Sequence, residues 1–215
     1  MKLRLGLAAA ALLFLALAAW QFERRVWKLA LIERVEARAH AAPSALPADF
    51  DAARDEYRRV SVTGRFERQH SVQVQAVTEQ GAGFWLLTPL RLSNGSAVLV
   101  NRGFVPPRWQ APVEPDTLLT LTGLLRVSEP SGAFLRSNDP AAGRWYSRDV
   151  QAIADARGLG KVAPFFIDAE AATEGPPIGG LTVIRFANNH LVYALTWLAL
   201  VVMSVGGALM LQRRG

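Results

Sequence analysis

The chain has 215 residues, about half of them hydrophobic, with a formal charge of +6 and no cysteine. Missing thiols exclude structural disulfides, Cys-ligated zinc, iron–sulfur clusters and attached c-type haem. The basic excess does not signal nucleic acid. Lys2, Arg4, Arg213 and Arg214 account for four of the 24 basic residues and flank two apolar segments, leaving 20 basic against 18 acidic residues for the rest. Lys and Arg at the ends of apolar segments are the pattern of cytoplasmic membrane flanks.

The first apolar segment, Leu5 to Trp20, carries no charge. It is short for a hydrocarbon core of about 30 Å, but Phe22 and snorkelling Arg24 and Arg25 extend it. Two readings fit: a retained anchor, or a signal peptide cut after Ala16-Leu17-Ala18. The segment starts almost at residue 1, without room for a mitochondrial presequence, which points to a bacterial origin. Helical character continues to about Arg38, with Trp20, Trp27 and Leu31 on one face as an interfacial or partner-docking surface.

Pro43 to Pro47 reads as a linker, after which the periodicity becomes that of strands. Val60 to Thr63 alternates and ends at Gly64; Val72, Val74 and Ala76 alternate with polar or smaller neighbours. Phe84 to Leu92 and Ala97 to Val100 flank Asn94-Gly95, a strong hairpin signal. Leu118 to Leu124 adds a strand; Arg144 to Ser147, Phe165 to Ile167 and Leu181 to Ile184 are shorter candidates. One helix is expected from Val150 to Ala156, with Asp149 as its N-cap. The expected fold is a mostly antiparallel β (α+β) barrel or sandwich between terminal helices.

The last segment, Leu191 to Leu211, is about 21 residues without a charge, stopped by Arg213 and Arg214, and reads as a transmembrane helix. The division is therefore an anchor over 1–22, an interfacial helix and linker over 23–42, a β-rich domain over 43–187, and a second helix with a basic tail over 188–215. Both termini are expected in the cytoplasm and the middle outside it. The five basic residues Arg24, Arg25, Lys28, Arg34 and Arg38 oppose this by count, although long translocated domains escape the charge rule.

No catalytic motif is present: neither G-x-S-x-G, nor a phosphate loop, nor H-E-x-x-H, nor a dinucleotide fingerprint occurs. His40, His70 and His190 are too scattered for a metal site by spacing. Asn101-Arg102-Gly103 at a strand end suits an anionic group or an ordinary ion pair. The chain is expected not to be an enzyme.

Four ordered blocks carry a family likeness. They are Trp20-Gln21 with Arg24, Lys28 and Leu31-Ile32; Tyr57-Arg58-Arg59-Val60 leading to Gly64-Arg65-Phe66; Gly83 to Leu90 followed by Val98 to Pro106; and Asn188 to Trp197. Together they resemble the Surfeit-locus-protein-one family of cytochrome oxidase assembly factors. The chain departs at Ala19, where the family often has Gly, and at Phe104, where it usually has Trp. The resemblance favours a retained first helix and a periplasmic domain on a multi-pass protein of the bacterial inner membrane. It implies a role in maturing haem-copper oxidases, with haem a as cofactor, oxidase subunit I as partner and haem A synthase as another. A cofactor-free scaffold for oxidase subunits is the alternative.

Against that background His190 is the one imidazole at a membrane boundary, and imidazole is a common axial haem ligand. His190 and Trp197 share a helix face, with Ala194 between them leaving room for a flat macrocycle. Tyr193 and Trp197 would pack on the ring or its tail, and Arg185 would meet the propionates, with Arg24, Arg25 and Arg102 as further cations. The plain alternative for His190 is a helix cap bonded to Asn188 or Asn189.

Overall fold

The computed structural model describes residues 2–113, 115–130, 136–171, 175–184 and 186–213. The chain divides into two compact units, 1–34 with 184–215, and 35–183. The first contains most of α1 (Lys2–His40) and all of α4 (His190–Arg213). Both are long and apolar enough to cross a membrane. At 1.5 Å per residue the 39 residues of α1 measure about 58 Å, nearly twice a hydrocarbon core. One uninterrupted helix thus includes both the expected anchor and the expected interfacial segment.

The second unit is a closed barrel. Its strands are β1 (Arg59–Phe66), β2 (Val72–Thr78), β3 (Gly81–Arg91), β4 (Ala97–Val105), β5 (Leu119–Val127) and β6 (Val162–Ala169). They run in the order β1-β5-β6-β4-β3-β2, and β1 also pairs with β3 through Arg65↔Arg91 and Phe66↔Leu90. This last pairing shuts the sheet. It is possible because β3 is eleven residues long. Its first seven residues pair with β2, and its end pairs with β1 on the same edge.

Most pairings are antiparallel, as expected. The exception is β4 with β6, which is parallel, Leu99 opposite Phe166 and Asn101 opposite Asp168. A short helix, α2 (Ala52–Asp55), and a 3-10 turn (Arg68–His70) are additions to the single expected helix. Two expected strands do not form as strands. Trp145 makes one isolated bridge to Val74 and Arg144 another to Asp139, while the stretch before α4 reaches the barrel through Ile178 and Phe104, ahead of the expected Leu181–Ile184. The expected linker is partly anchored too: Ser44 N–H donates to the Arg59 carbonyl at 3.1 Å, and Ser61 N–H to the Ser44 carbonyl at 2.9 Å.

Local chemistry explains the regular parts. At Asn94-Gly95 the glycine takes φ +80°, and the Asn94 side-chain oxygen accepts from the Ser96 N–H at 3.0 Å. In β2 the buried and exposed residues alternate from Val72 to Gln75, so one face meets the core. Ala97 to Asn101 of β4 is buried on both faces and so reads as a continuous apolar run. Val98 and Val100 join Val60, Val62, Leu90, Leu125, Phe165 and Ile167 in the cluster supplied by the five closing strands, which is the barrel interior.

Leu99, on the other face, joins Phe166, Leu87 and Val74 beneath α3 (Val150–Arg157). Asp149 caps α3, accepting from the Ala152 N–H at 3.1 Å. A cap contributes about 1 kcal/mol. Burying Val150 and fully buried Ile153 contributes about 1.5–3 kcal/mol each, so packing outweighs capping in holding this two-turn helix.

Candidate functional site

Within the helical unit, α1 and α4 lie antiparallel. An Arg4 guanidinium N–H donates to the Leu211 carbonyl. Phe14 stacks on Trp197 with ring centres 5.6 Å apart and planes 20° from parallel. Gln21 meets His190. Numbers rise along one helix as they fall along the other. Ala11, Ala18 and Gln21 of α1 and Ala194 and Ser204 of α4 are buried. The small ones, Ala11, Ala18, Ala194 and Ser204, let two backbones approach closely, the usual device for pairing helices in lipid.

His190 is the first residue of α4 and is half-buried. Its Nδ1 lies 2.8 Å from the Gln21 side-chain oxygen. An amide oxygen only accepts, so Nδ1 is the nitrogen that donates, and in the neutral ring the lone pair is then on Nε2. Among the described residues Nε2 has no hydrogen-bond partner. The alternative partners foreseen for this ring, Asn188 and Asn189, are not used. The Asn189 carbonyl accepts from the Tyr193 N–H at 3.2 Å, and the Asn188 side-chain oxygen is buried without a partner among the described residues.

The open face expected between His190 and Trp197 does not exist. Ala194 is fully buried and Trp197 is stacked on Phe14, so α1 fills the space that a single helix leaves empty. Tyr193 is 54% exposed. Arg185 lies outside the described residues. Among the other cations, Arg25 and Lys28 stand one and two turns beyond Gln21, on the α1 face that carries it. Lys28 Nζ is 5.0 Å from the Phe186 ring, while Arg24 stacks over its own helix's Trp27 at 4.1 Å. Arg102 belongs to the barrel unit, over the Phe66 ring at 4.8 Å.

A second constellation lies in the barrel unit, along a cavity of about 740 Å³ lined by Thr78, Trp85, Asn101, Arg126, Arg148, Asp168 and Thr182 among others. Asp168, 5% exposed, accepts from four directions. The donors are Asn101 Nδ2 at 2.8 Å, Thr182 Oγ1 at 2.9 Å, Arg126 at 3.1 Å and Arg148 at 3.2 Å. Glu129 takes further bonds from both arginines at 2.8–3.0 Å. Burial opposes the Arg126 charge, but Asp168, Tyr57, Glu129 and Glu56 outweigh it and hold its pKa above the ordinary value. Burial also raises the Tyr57 phenol.

This arrangement is a charge-compensated tie that fastens β4, β5, β6 and the Thr182 segment. Within the Asn101-Arg102-Gly103 block, read as suiting an anionic group or an ordinary ion pair, Asn101 spends its amide on Asp168 and accepts the Gly103 N–H at 3.2 Å. Among the described residues no group of three or more His, Asp or Glu is placed to hold a metal ion.

The pairing of Gln21 with His190 joins the first and last of the four sequence blocks, and Asn101 and Gly103 meet in the third. The SURF1 family model matches residues 8–202, which covers most of α1, the barrel and about the first half of α4. The chain belongs to the SURF1 family. It is similar to the rat protein named Surfeit locus protein 1, at 36% identity over 86% of this chain and 67% of the rat protein. The human protein of that name is 35% identical over 86% of this chain and 69% of its own length. A SURF1-like protein of Monosiga brevicollis is 35% identical over 93% of this chain and 83% of its own.

Sequence reasoning missed two SURF1-family residues in this site. Gln21 was visible as part of a block but had no role, because its partner is 169 positions away. Lys28 lacked a role for the same reason: only the second helix's approach segment, at Phe186, makes its face significant.

Proposed function

We propose that this SURF1-family chain is a non-enzymatic assembly factor for haem-copper oxidase, binding haem a through His190 and assisting its transfer to oxidase subunit I. The observation that carries the reading is the setting of His190, a half-buried imidazole with Nδ1 engaged by Gln21 and Nε2 without a partner among the described residues. That is the form in which an imidazole ligates iron, and iron is what the haem would supply. Tyr193 offers an exposed aromatic surface one turn away, and Arg25 and Lys28 offer cations for propionates. Trp197 serves helix packing, through Phe14, and is not assigned to the macrocycle. A single imidazole suits a carrier that must release its cargo. Haem A synthase, as the source of that cargo, is a natural second partner.

The proposed setting is a bacterial inner membrane with the barrel in the periplasm and both termini in the cytoplasm. Antiparallel pairing of α1 and α4 supports it, since it brings Lys2, Arg4 and Arg213 to one end.

A second reading, a cofactor-free scaffold for oxidase subunits, is favoured by the filled face between His190 and Trp197. The visible spectrum of protein purified after co-expression with haem a biosynthesis separates the two. Bound pigment that falls sharply in His190→Ala at unchanged membrane level supports the carrier. Colourless protein supports the scaffold, and pigment undiminished in His190→Ala removes His190 as the haem ligand.

A further inference from the structure

We propose that Gln21 is a positioning residue whose side-chain oxygen fixes His190 as the Nδ1–H tautomer and so presents an unprotonated Nε2 for ligation. The inference rests on the reading of His190 as a ligand and assigns the group that prepares it. Gln21 is only 9% exposed in a helix whose neighbouring span is apolar, where an amide without a partner is costly and a leucine would pack without penalty. Its one described side-chain bond is the 2.8 Å contact with His190 Nδ1.

That contact does two things which helix packing alone does not. It selects which ring nitrogen carries the proton, and it fixes the rotation of the ring about its bond to the backbone. Imidazoles that bind metals generally donate their second N–H to a carbonyl or carboxylate, which sets the tautomer and increases the electron density at the ligating nitrogen. Here the carbonyl comes from the other helix of the pair. Ligand readiness at the start of α4 therefore depends on α1 being in register. Displacement of α1 by one helical position would carry the Gln21 oxygen out of reach, and the ring would be free to place its proton on Nε2 instead.

The alternative role for Gln21 is purely structural, as polar glue between helices. The two roles differ in what they do to the ring. With only three histidines in the chain, the His190 signals of the haem-free, full-length protein labelled with ¹⁵N-histidine can be assigned by difference from His190→Ala. Wild type should give a protonated Nδ1 and an unprotonated Nε2 at about pH 8. Gln21→Leu should lose that pattern, and Gln21→Glu should keep it with the Nδ1 signal shifted by the stronger acceptor. In parallel, haemin titration should be weakened about 10-fold or more by Gln21→Leu, the usual cost of removing a ligand's supporting group, and largely retained by Gln21→Glu.

A wild-type His190 protonated on Nε2, or a pattern unchanged in Gln21→Leu, overturns the proposal. If Gln21→Leu does not accumulate, an unshifted Nδ1 signal in Gln21→Glu overturns it equally. Failure of the underlying reading looks different: wild type and His190→Ala would then take up haemin alike, while the tautomer still followed Gln21.

Discussion

Arg59 and Glu170 face each other across β5, joined by two parallel hydrogen bonds, Nε to Oε1 at 2.6 Å and Nη2 to Oε2 at 2.8 Å. Arg59 is on β1 and Glu170 follows β6, so the pair clasps three adjacent strands. Both side chains are about one-third exposed, however. Two residues earlier, Asp168 holds a similar position on a buried site with two arginines. Geometry favours the first pair and burial the second, and burial should decide. Asp168→Ala leaves two largely buried guanidinium groups short of their counter-charge and should cost about 3–5 kcal/mol. Arg59→Ala should cost about 1 kcal/mol or less. Thermal unfolding followed by tryptophan fluorescence ranks the two.

Acid should loosen α2. Asp55 is fully buried and accepts from Arg54 at 2.7 Å, from the Asp51 N–H at 3.0 Å and from Arg58 at 3.3 Å. The Arg54 hydrogen bond leads in holding its pKa down to about 2. Because the folded value lies below the unfolded one of about 3.9, the stabilisation is complete above that value and disappears as pH falls towards 2. Asp55→Asn should therefore be less stable than wild type at neutral pH and show a shallower loss between about pH 4 and pH 2. Denaturant midpoints across that range test it.

Gly103 is held at φ +130°, and a Cβ there would collide with the Ile178 carbonyl and the Gly179 nitrogen. The same place carries the paired bonds between Phe104 and Ile178, both 2.9 Å. Gly103→Ala should cost about 2 kcal/mol or more through strain and loss of this bridge. Gly95→Ala, also at positive φ but in open space, should cost about 1 kcal/mol. A reversed order in their unfolding midpoints would show that the approach at Gly103 is less tight than its geometry.

The proposed orientation can be read chemically because the native chain has no thiol. Gln80, in the exposed β2–β3 turn, and Gln212, exposed near the end of α4, supply single-cysteine positions. In cells with a permeable outer layer but an intact inner membrane, Gln80→Cys should react with an impermeant maleimide and Gln212→Cys should not. The opposite labelling would mean that the five basic residues between Arg24 and Arg38 set the topology.

What the sequence revealed was whatever depends on near neighbours. The Asn94-Gly95 hairpin, the alternation in β2 and the Asp149 cap are each decided within a few residues, and each formed as expected. The parallel pairing of β6 with β4 joins Asp168 to Asn101, 67 positions apart, and no local pattern announces it. Trp145 and Leu181 sit in strand-like sequence but lack a ladder to join, so propensity alone misled. At the helical site, His190 stood out as the lone imidazole beside an apolar run. The space imagined beside Ala194 came from considering one helix without its partner, and Gln21 went unassigned for the same reason.

The position of β6 also bears on how the barrel is made. It is the last strand in the chain, yet it lies between β5 and β4, two of the earlier ones. Until residues up to Ala169 have emerged, β4 and β5 each present an unpaired edge, and Phe165 and Ile167 are missing from the core. Exposed strand edges invite association with other chains. The nascent polypeptide must therefore hold five strands in an unsealed state until synthesis has almost reached α4. Slow closure, governed by contacts of large sequence separation, follows from this order of assembly. A ribosome stalled just short of β6 would leave a species prone to aggregate, whereas one stalled after residue 169 is fully exposed would leave a barrel able to seal.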